Sequence, residues 1–151
     1  MAERTSLTPY LVVSNAAAAI DFYKTALGAV ELGRHLAPND SRIMHAHLQI
    51  DGADLMLSDD FSAHMKMPLE TPEALGGSPV TLSLVVPDAN ALWATATAAG
   101  AVVTMPLKEQ FWGDLFGQFR DPFGHKWSVS QTVKKVDPAE FAEKAAQAFN
   151  E

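Results

Sequence analysis

The sequence contains no cysteine, which removes disulfides, thiolate metal sites and a thiol nucleophile together. A bound metal would have to use His, Asp or Glu. Basic residues are also few: eleven Lys and Arg stand against eighteen Asp and Glu, giving −7, and no cluster of Lys or Arg occurs. That balance argues against electrostatic capture of nucleic acid or an anionic membrane, and a small uncharged or cationic partner is easier to accommodate. Long apolar runs are missing as well. None approaches the ~20 residues of a membrane span, and the opening MAERTSL lacks the apolar centre of a signal peptide, so a cytoplasmic protein is expected. No glycine-rich phosphate loop, nucleophile elbow or HExxH motif is present.

What remains is enough for one core: 151 residues, 48% of them apolar, make about one domain. Leu7 to Val13, rich in β-branched and aromatic residues, predicts a strand that ends at Ser14-Asn15, where Asn15 can cap a helix. Ile20, Tyr23, Ala26 and Leu27 recur at helical spacing, and Gly28 stands at a C-cap, so the helix runs from about Ala16 to Leu27. Val30 to Leu36 reads as a short strand. Ile43 to Ile50 alternates, with Met44, Ala46, Leu48 and Ile50 on one face and His45, His47 and Gln49 on the other. Asp51-Gly52 turns the chain into a strand over Asp54 to Ser58.

Asp59 to Pro79 shows no periodicity and carries three prolines, a Gly76-Gly77 pair and two methionines; it is expected to be a loop crossing between halves. Asp59 and Asp60 then read as two solvated acids at its start rather than as a carboxylate pair sharing a proton. His64, Met65 and Met67 could form a lid, although an ordinary mobile loop is the plainer expectation. Beyond it come a strand over Val80 to Val86, a helix over Ala89 to Ala99 between Asp88 and Gly100, and a strand over Val102 to Leu107. The last pair of strands is the most sharply marked. Between Trp112 and Gln131, residues Phe116, Gln118 and Arg120 alternate with Leu115, Gly117 and Phe119. After the turn Asp121-Pro122-Phe123-Gly124, Trp127 and Val129 alternate with Lys126, Ser128 and Ser130.

Both halves therefore read β-α-β-β-β. Gly28-Ala29-Val30 and Gly100-Ala101-Val102 lie one repeat apart, as do Gly52 and Gly124. Two copies of one unit, each with a half-exposed sheet, predict an α+β fold of tandem β-α-β-β-β modules whose curved sheets enclose a cavity. The modules span about 7–58 and 80–133, with the crossing loop at 59–79, in a single domain over 1–151. A C-terminal helix is expected over about 138–150: Asp137 caps it, Pro138 opens it, and Phe141, Ala145 and Phe149 share a side suited to packing or dimerisation.

The pairing of PYLVVSNAAAAIDFYKTALGA (Pro9 to Ala29) with RDPFGHKW (Arg120 to Trp127) inside this duplication resembles the vicinal oxygen chelate superfamily, the group of glyoxalase I, bleomycin-resistance proteins and extradiol dioxygenases. MHAHLQI (Met44 to Ile50), GGSPVTLSL (Gly76 to Leu84) and WGDLFGQFRDPFGHKW are most similar to its demethylubiquinone methyltransferase-like branch. The resemblance spans roughly Leu7 to Val133 and implies a homodimer. In the superfamily's metalloenzymes, four His, Gln or Glu ligands on the first and last strands of each repeat hold a metal that stabilises an enediolate. Those positions fall here at Thr8, Met56, Thr81 and Ser128. Three hydroxyls and a thioether suit a hard or borderline divalent ion poorly, so the superfamily metal is expected to be absent.

Other side chains keep alternatives open. His45 and His47 share a strand face and could form a two-histidine metal site, with Asp54 as a third ligand, or could be partly solvated strand residues. Tyr10, Phe111, Trp112 and Phe116 could wall a cavity for a planar or cationic ligand, or could be core; Trp112, near a strand end, is the best placed. His125, in the turn, is given a structural or surface role. Ligand-cavity candidates are thus Thr8, Tyr10, His45, His47, Met56, Thr81, Trp112, Phe116 and Ser128. Two functions follow. The first is a small-molecule binding protein of the antibiotic-sequestering kind, without metal or other cofactor. The second is a lyase or isomerase using a divalent metal displaced to His45 and His47. Methyl transfer has no support, because no glycine-rich nucleotide loop of a Rossmann unit is present.

Overall fold

Asn15 and Gly28 delimit the first helix as their chemistry requires. In the computed structural model, which describes residues 4–150, the Asn15 side chain accepts the Ala18 N–H, and Gly28 takes the left-handed conformation at φ 68°. This helix, α1 (Ala16–Leu27), follows β1 (Tyr10–Val13) and precedes β2 (Val30–Leu36), β3 (Ile43–Ile50) and β4 (Ala53–Asp59). A 3₁₀ turn at Ser62–Met65 and the one-turn α2 (Pro72–Leu75) occupy the crossing segment. The second module is β5 (Thr81–Val85), α3 (Ala89–Ala99), β6 (Val102–Glu109), β7 (Asp114–Arg120) and β8 (Lys126–Thr132), and α4 (Pro138–Phe149) ends the chain.

The two sheets repeat one topology. Their strand orders are β1-β4-β3-β2 and β5-β8-β7-β6, with the first strand parallel to the last and the other neighbours antiparallel. The core lies where α1 and α3 pack together and against the sheets. Ala16, Ala19, Ala26 and Ala96 are fully buried, and such small side chains let the helices approach closely. Thr95 donates its hydroxyl to the Ala26 carbonyl at 2.8 Å across that contact.

A second tie joins the modules through Asp121, in the β7–β8 turn. Its carboxylate accepts the Tyr23 hydroxyl at 2.5 Å, the Trp127 indole N–H at 2.9 Å, and the backbone N–H groups of Phe123 and His125. Burial, and then the adjacent Asp121 charge, push the Tyr23 hydroxyl well above the ordinary tyrosine range, so it stays a donor. His125 adds a bond from its ring to the Val12 carbonyl at 3.1 Å.

Several expectations change. The strand expected from Leu7 begins at Tyr10, because Pro9 has no N–H to give the ladder; its carbonyl still accepts the Met56 N–H at 3.0 Å. In β3 the buried residue at the strand's start is Ile43, and Met44 is exposed, because the pairing with β2 slips between His35 and Leu36. The crossing segment is not plain loop, and its two acids are not simply solvated. Asp59 is 8% exposed and accepts the N–H groups of Ala16 at 2.9 Å and Ile43 at 2.7 Å, joining the start of α1 to β3 and β4. Asp60 accepts from Ser62 and Glu70 within its own loop. Asp59→Ala is therefore expected to lower stability by about 2–4 kcal/mol, since two buried donors lose their acceptor. Urea unfolding checks this, and an unchanged midpoint would remove Asp59 from the account of the fold.

Candidate functional site

A cleft of about 350 Å3 opens between the sheets. One side is the segment Ser6–Pro9 with the β3–β4 hairpin, contributing Thr8, Ile50, Asp54 and Leu55; the other is β5 and β8, contributing Leu82, Ser83, Leu84 and Trp127. The wall is mostly apolar, and the Trp127 N–H is already spent on Asp121. Among the described residues that line it, Asp54 is the one of an ionisable type. Hydrogen bonds from Gln49 and then His47 hold its carboxyl below the usual carboxylate range.

The residues expected at a site divide into three places. On the face of the first sheet that carries Tyr10, the register sets Met56 between Tyr10 and His47. The Tyr10 hydroxyl and His45 Nδ1 lie 3.0 Å apart, and His47 Nε2 lies 2.8 Å from Asp54 Oδ1. His35, which sequence reasoning passed over, stands opposite His45 with the rings stacked at 6.2 Å. Only the cross-strand register could have found it. Thr8 belongs to the cleft itself.

On the second sheet, Ser128 is 3% exposed and donates its hydroxyl to Ser83 at 2.8 Å, while Thr81 pairs with Lys126. The four positions that the resemblance assigns to the superfamily's ligands are thus split, Thr8 and Met56 with the first sheet and Thr81 and Ser128 with the second. Their donor set does not fit a divalent ion: it offers no imidazole or carboxylate, and the Ser128 hydroxyl is already engaged. Among the described residues, no group of three or more His, Asp or Glu side chains is arranged to hold a metal.

The four aromatics do not form one wall. Phe111, Trp112 and Phe116 cluster, with the Trp112 ring 5.0 Å from Phe111 and 5.7 Å from Phe116, and Phe141 of α4 joins Phe111 at 5.4 Å. Tyr10 lies instead against His45. The residues missed by sequence are the cleft's apolar ones, Leu55, Leu82, Leu84 and Trp127. Their inward alternation marked them as core, and only packing shows that they border a void.

Paired β-α-β-β-β modules, a parallel first-to-last strand contact in each, and a cleft between the sheets define the vicinal oxygen chelate fold. The chain belongs to the glyoxalase/bleomycin resistance protein/dioxygenase superfamily, whose family model matches residues 5–129. It is 48% identical over 132 residues to the uncharacterized protein Rv0887c of Mycobacterium tuberculosis, covering 87% of this chain and 77% of that one. Among solved structures, protein PA1353 from Pseudomonas aeruginosa superposes with a TM-score of 0.66 at 29% identity, covering 87% of this chain and all of the other. The Arabidopsis thaliana At5g48480 product gives 0.63 at 30% identity over 84% and 98%. No helix among the described residues is long and apolar enough to cross a membrane.

Proposed function

We propose that the chain binds a small molecule in the inter-sheet cleft and does so without the superfamily metal. The donor set at the four ligand positions carries this reading. Thr8, Met56, Thr81 and Ser128 supply no strong ligand, and the Ser128 hydroxyl is hydrogen-bonded within the protein. The apolar walls of the cleft, with the hydroxyls of Thr8 and Ser83 at hand, support binding through burial and a few oriented polar contacts.

A homodimer belongs to the same reading. Val85, Val102 and Met105 are exposed on one face of the second sheet, and a second copy would cover them. A cytoplasmic location suits a chain without cysteine. The alternative, a lyase or isomerase with a divalent metal on His45 and His47, has less to support it, because those rings are engaged with Tyr10 and Asp54.

Metal analysis of protein purified without chelator, with thermal-shift titrations of zinc, nickel, manganese and iron, tests the choice. The expected result is no stoichiometric metal and no stabilisation by any of the four. Stoichiometric metal that is lost in His45→Ala or His47→Ala would overturn the metal-free reading.

A further inference from the structure

We infer that the protein carries a second small-molecule site, outside the inter-sheet cleft, that takes a planar aromatic acid. It lies where the β2–β3 loop meets the start of the crossing segment, in a cavity of about 350 Å3 that shares no lining residue with the cleft. Pro38, Asp40, Arg42, Met44, Phe61 and His64 line it.

Three observations carry it. The first is a guanidinium laid flat on the wall. Arg42 Cζ stands 4.5 Å from the centre of the Phe61 ring, while Nε and Nη2 both donate to Asp40 Oδ2, at 2.8 and 2.7 Å. Phe61 and Asp40 are themselves wall residues, so the group's own partners place it in the cavity. One face and one edge are thereby taken. Among the described residues no second ring covers the other face and nothing accepts from Nη1, which leaves a surface for a stacked ring and a donor for an acid. The second is the rigidity of the loop that presents it: the Ala37 N–H donates to the Arg42 carbonyl at 2.9 Å, and the Arg42 N–H donates to Asp40 Oδ1 at 2.9 Å. The third is Met44. Pairing between β2 and β3 passes from His35–His45 to Leu36–Ile43 and leaves Met44 without a partner. Such a bulge re-aims a side chain, and here it sets a polarizable thioether on the cavity wall, where it suits an aromatic ring. His64 adds a polar ring, and the Asp40 charge is already matched by Arg42, so among the described lining residues no unpaired carboxylate repels the acid.

Naphthalene-2-carboxylate and decahydronaphthalene-2-carboxylate share a skeleton and a charge and differ in the π system. Calorimetry on the full chain is expected to show the aromatic acid binding about fivefold tighter than the saturated one. Amide chemical-shift mapping should centre on Arg42, Met44 and His64, and not on Leu82 and Leu84 of the cleft. Arg42→Lys keeps the charge but removes the planar stack, and should bring the two acids within about twofold of each other. Met44→Ala should weaken the aromatic acid by about threefold. Both side chains are exposed, so the variants are expected to fold, and the same spectra verify it.

Equal binding of the two acids by the unmodified protein would overturn the stacking inference, and a preference that survives Arg42→Lys would overturn the assignment to Arg42. Shifts centred on the cleft would remove the second site and leave the cleft's binding role standing. No binding of either acid at millimolar concentration would overturn the inference without touching the reading of the cleft.

Discussion

Asp121→Ala is expected to cost about 3–5 kcal/mol, because it strips the acceptor from two buried side-chain donors and two backbone N–H groups at once. Tyr23 and Trp127 are 0% and 2% exposed, so water does not replace the lost oxygen. Asp121 itself is 2% exposed. Its partners come from both modules: Tyr23 lies in α1, and Trp127, Phe123 and His125 belong to the second module. The loss therefore falls on the joint between modules as well as on one turn. The melting temperature should fall by on the order of 10 °C, and the urea midpoint should fall with little change in slope. Tyr23→Phe, which removes one of the four donors, should cost about 1–2 kcal/mol. If Asp121→Ala and Tyr23→Phe cost the same, the four-donor account is wrong.

Gly113→Ala is expected to be nearly as damaging, for reasons of space and backbone. Gly113 sits at φ 94°, and a Cβ built there would stand 2.1 Å from the Lys134 carbonyl oxygen and 3.0 Å from Val136 Cγ2. The obstacle is main chain, so no side-chain rotation relieves it. Its own carbonyl accepts from Val133 and Lys134, both at 3.0 Å, which fastens the segment leading to α4 against the β6–β7 hairpin. A cost of about 3 kcal/mol follows from the strained φ together with the clash. Gly52→Ala is the control. Gly52 has φ 84° but open space around its missing Cβ, so only the backbone term applies, about 1 kcal/mol. Hydrogen exchange at the Val133 and Lys134 amides should quicken in Gly113→Ala and stay unchanged in Gly52→Ala. The same exchange in both would refute the packing argument.

The local elements of this chain were legible in its residues, because their signals are local. Asn15 and Gly28 delimit α1, Asp88 and Gly100 delimit α3, and Asp137-Pro138 opens α4, each through a bond or a backbone angle that needs only near neighbours. The strand alternation of the Trp112 to Gln131 segment set which side chains face inward, and the spacing of Gly28 and Gly100 marked the duplication. The superfamily followed from these together with RDPFGHKW.

What the residues alone left open depends on neighbours distant in the chain. Asp59 and Asp60 look alike in sequence, yet one is buried between α1 and β3 and the other shapes its own loop, a difference set by which backbone donors the fold brings within reach. Tyr10 and Trp112 look like one aromatic wall, but they belong to different sheets and pack with different partners. His35 enters the histidine face only through its pairing with His45 across two strands. The cleft is likewise tertiary. Leu55, Leu82, Leu84 and Trp127 carry the pattern of ordinary core residues, and only the way two modules meet leaves space beside them. Sequence periodicity states which face of an element turns inward; how closely two inward faces approach is settled by packing alone.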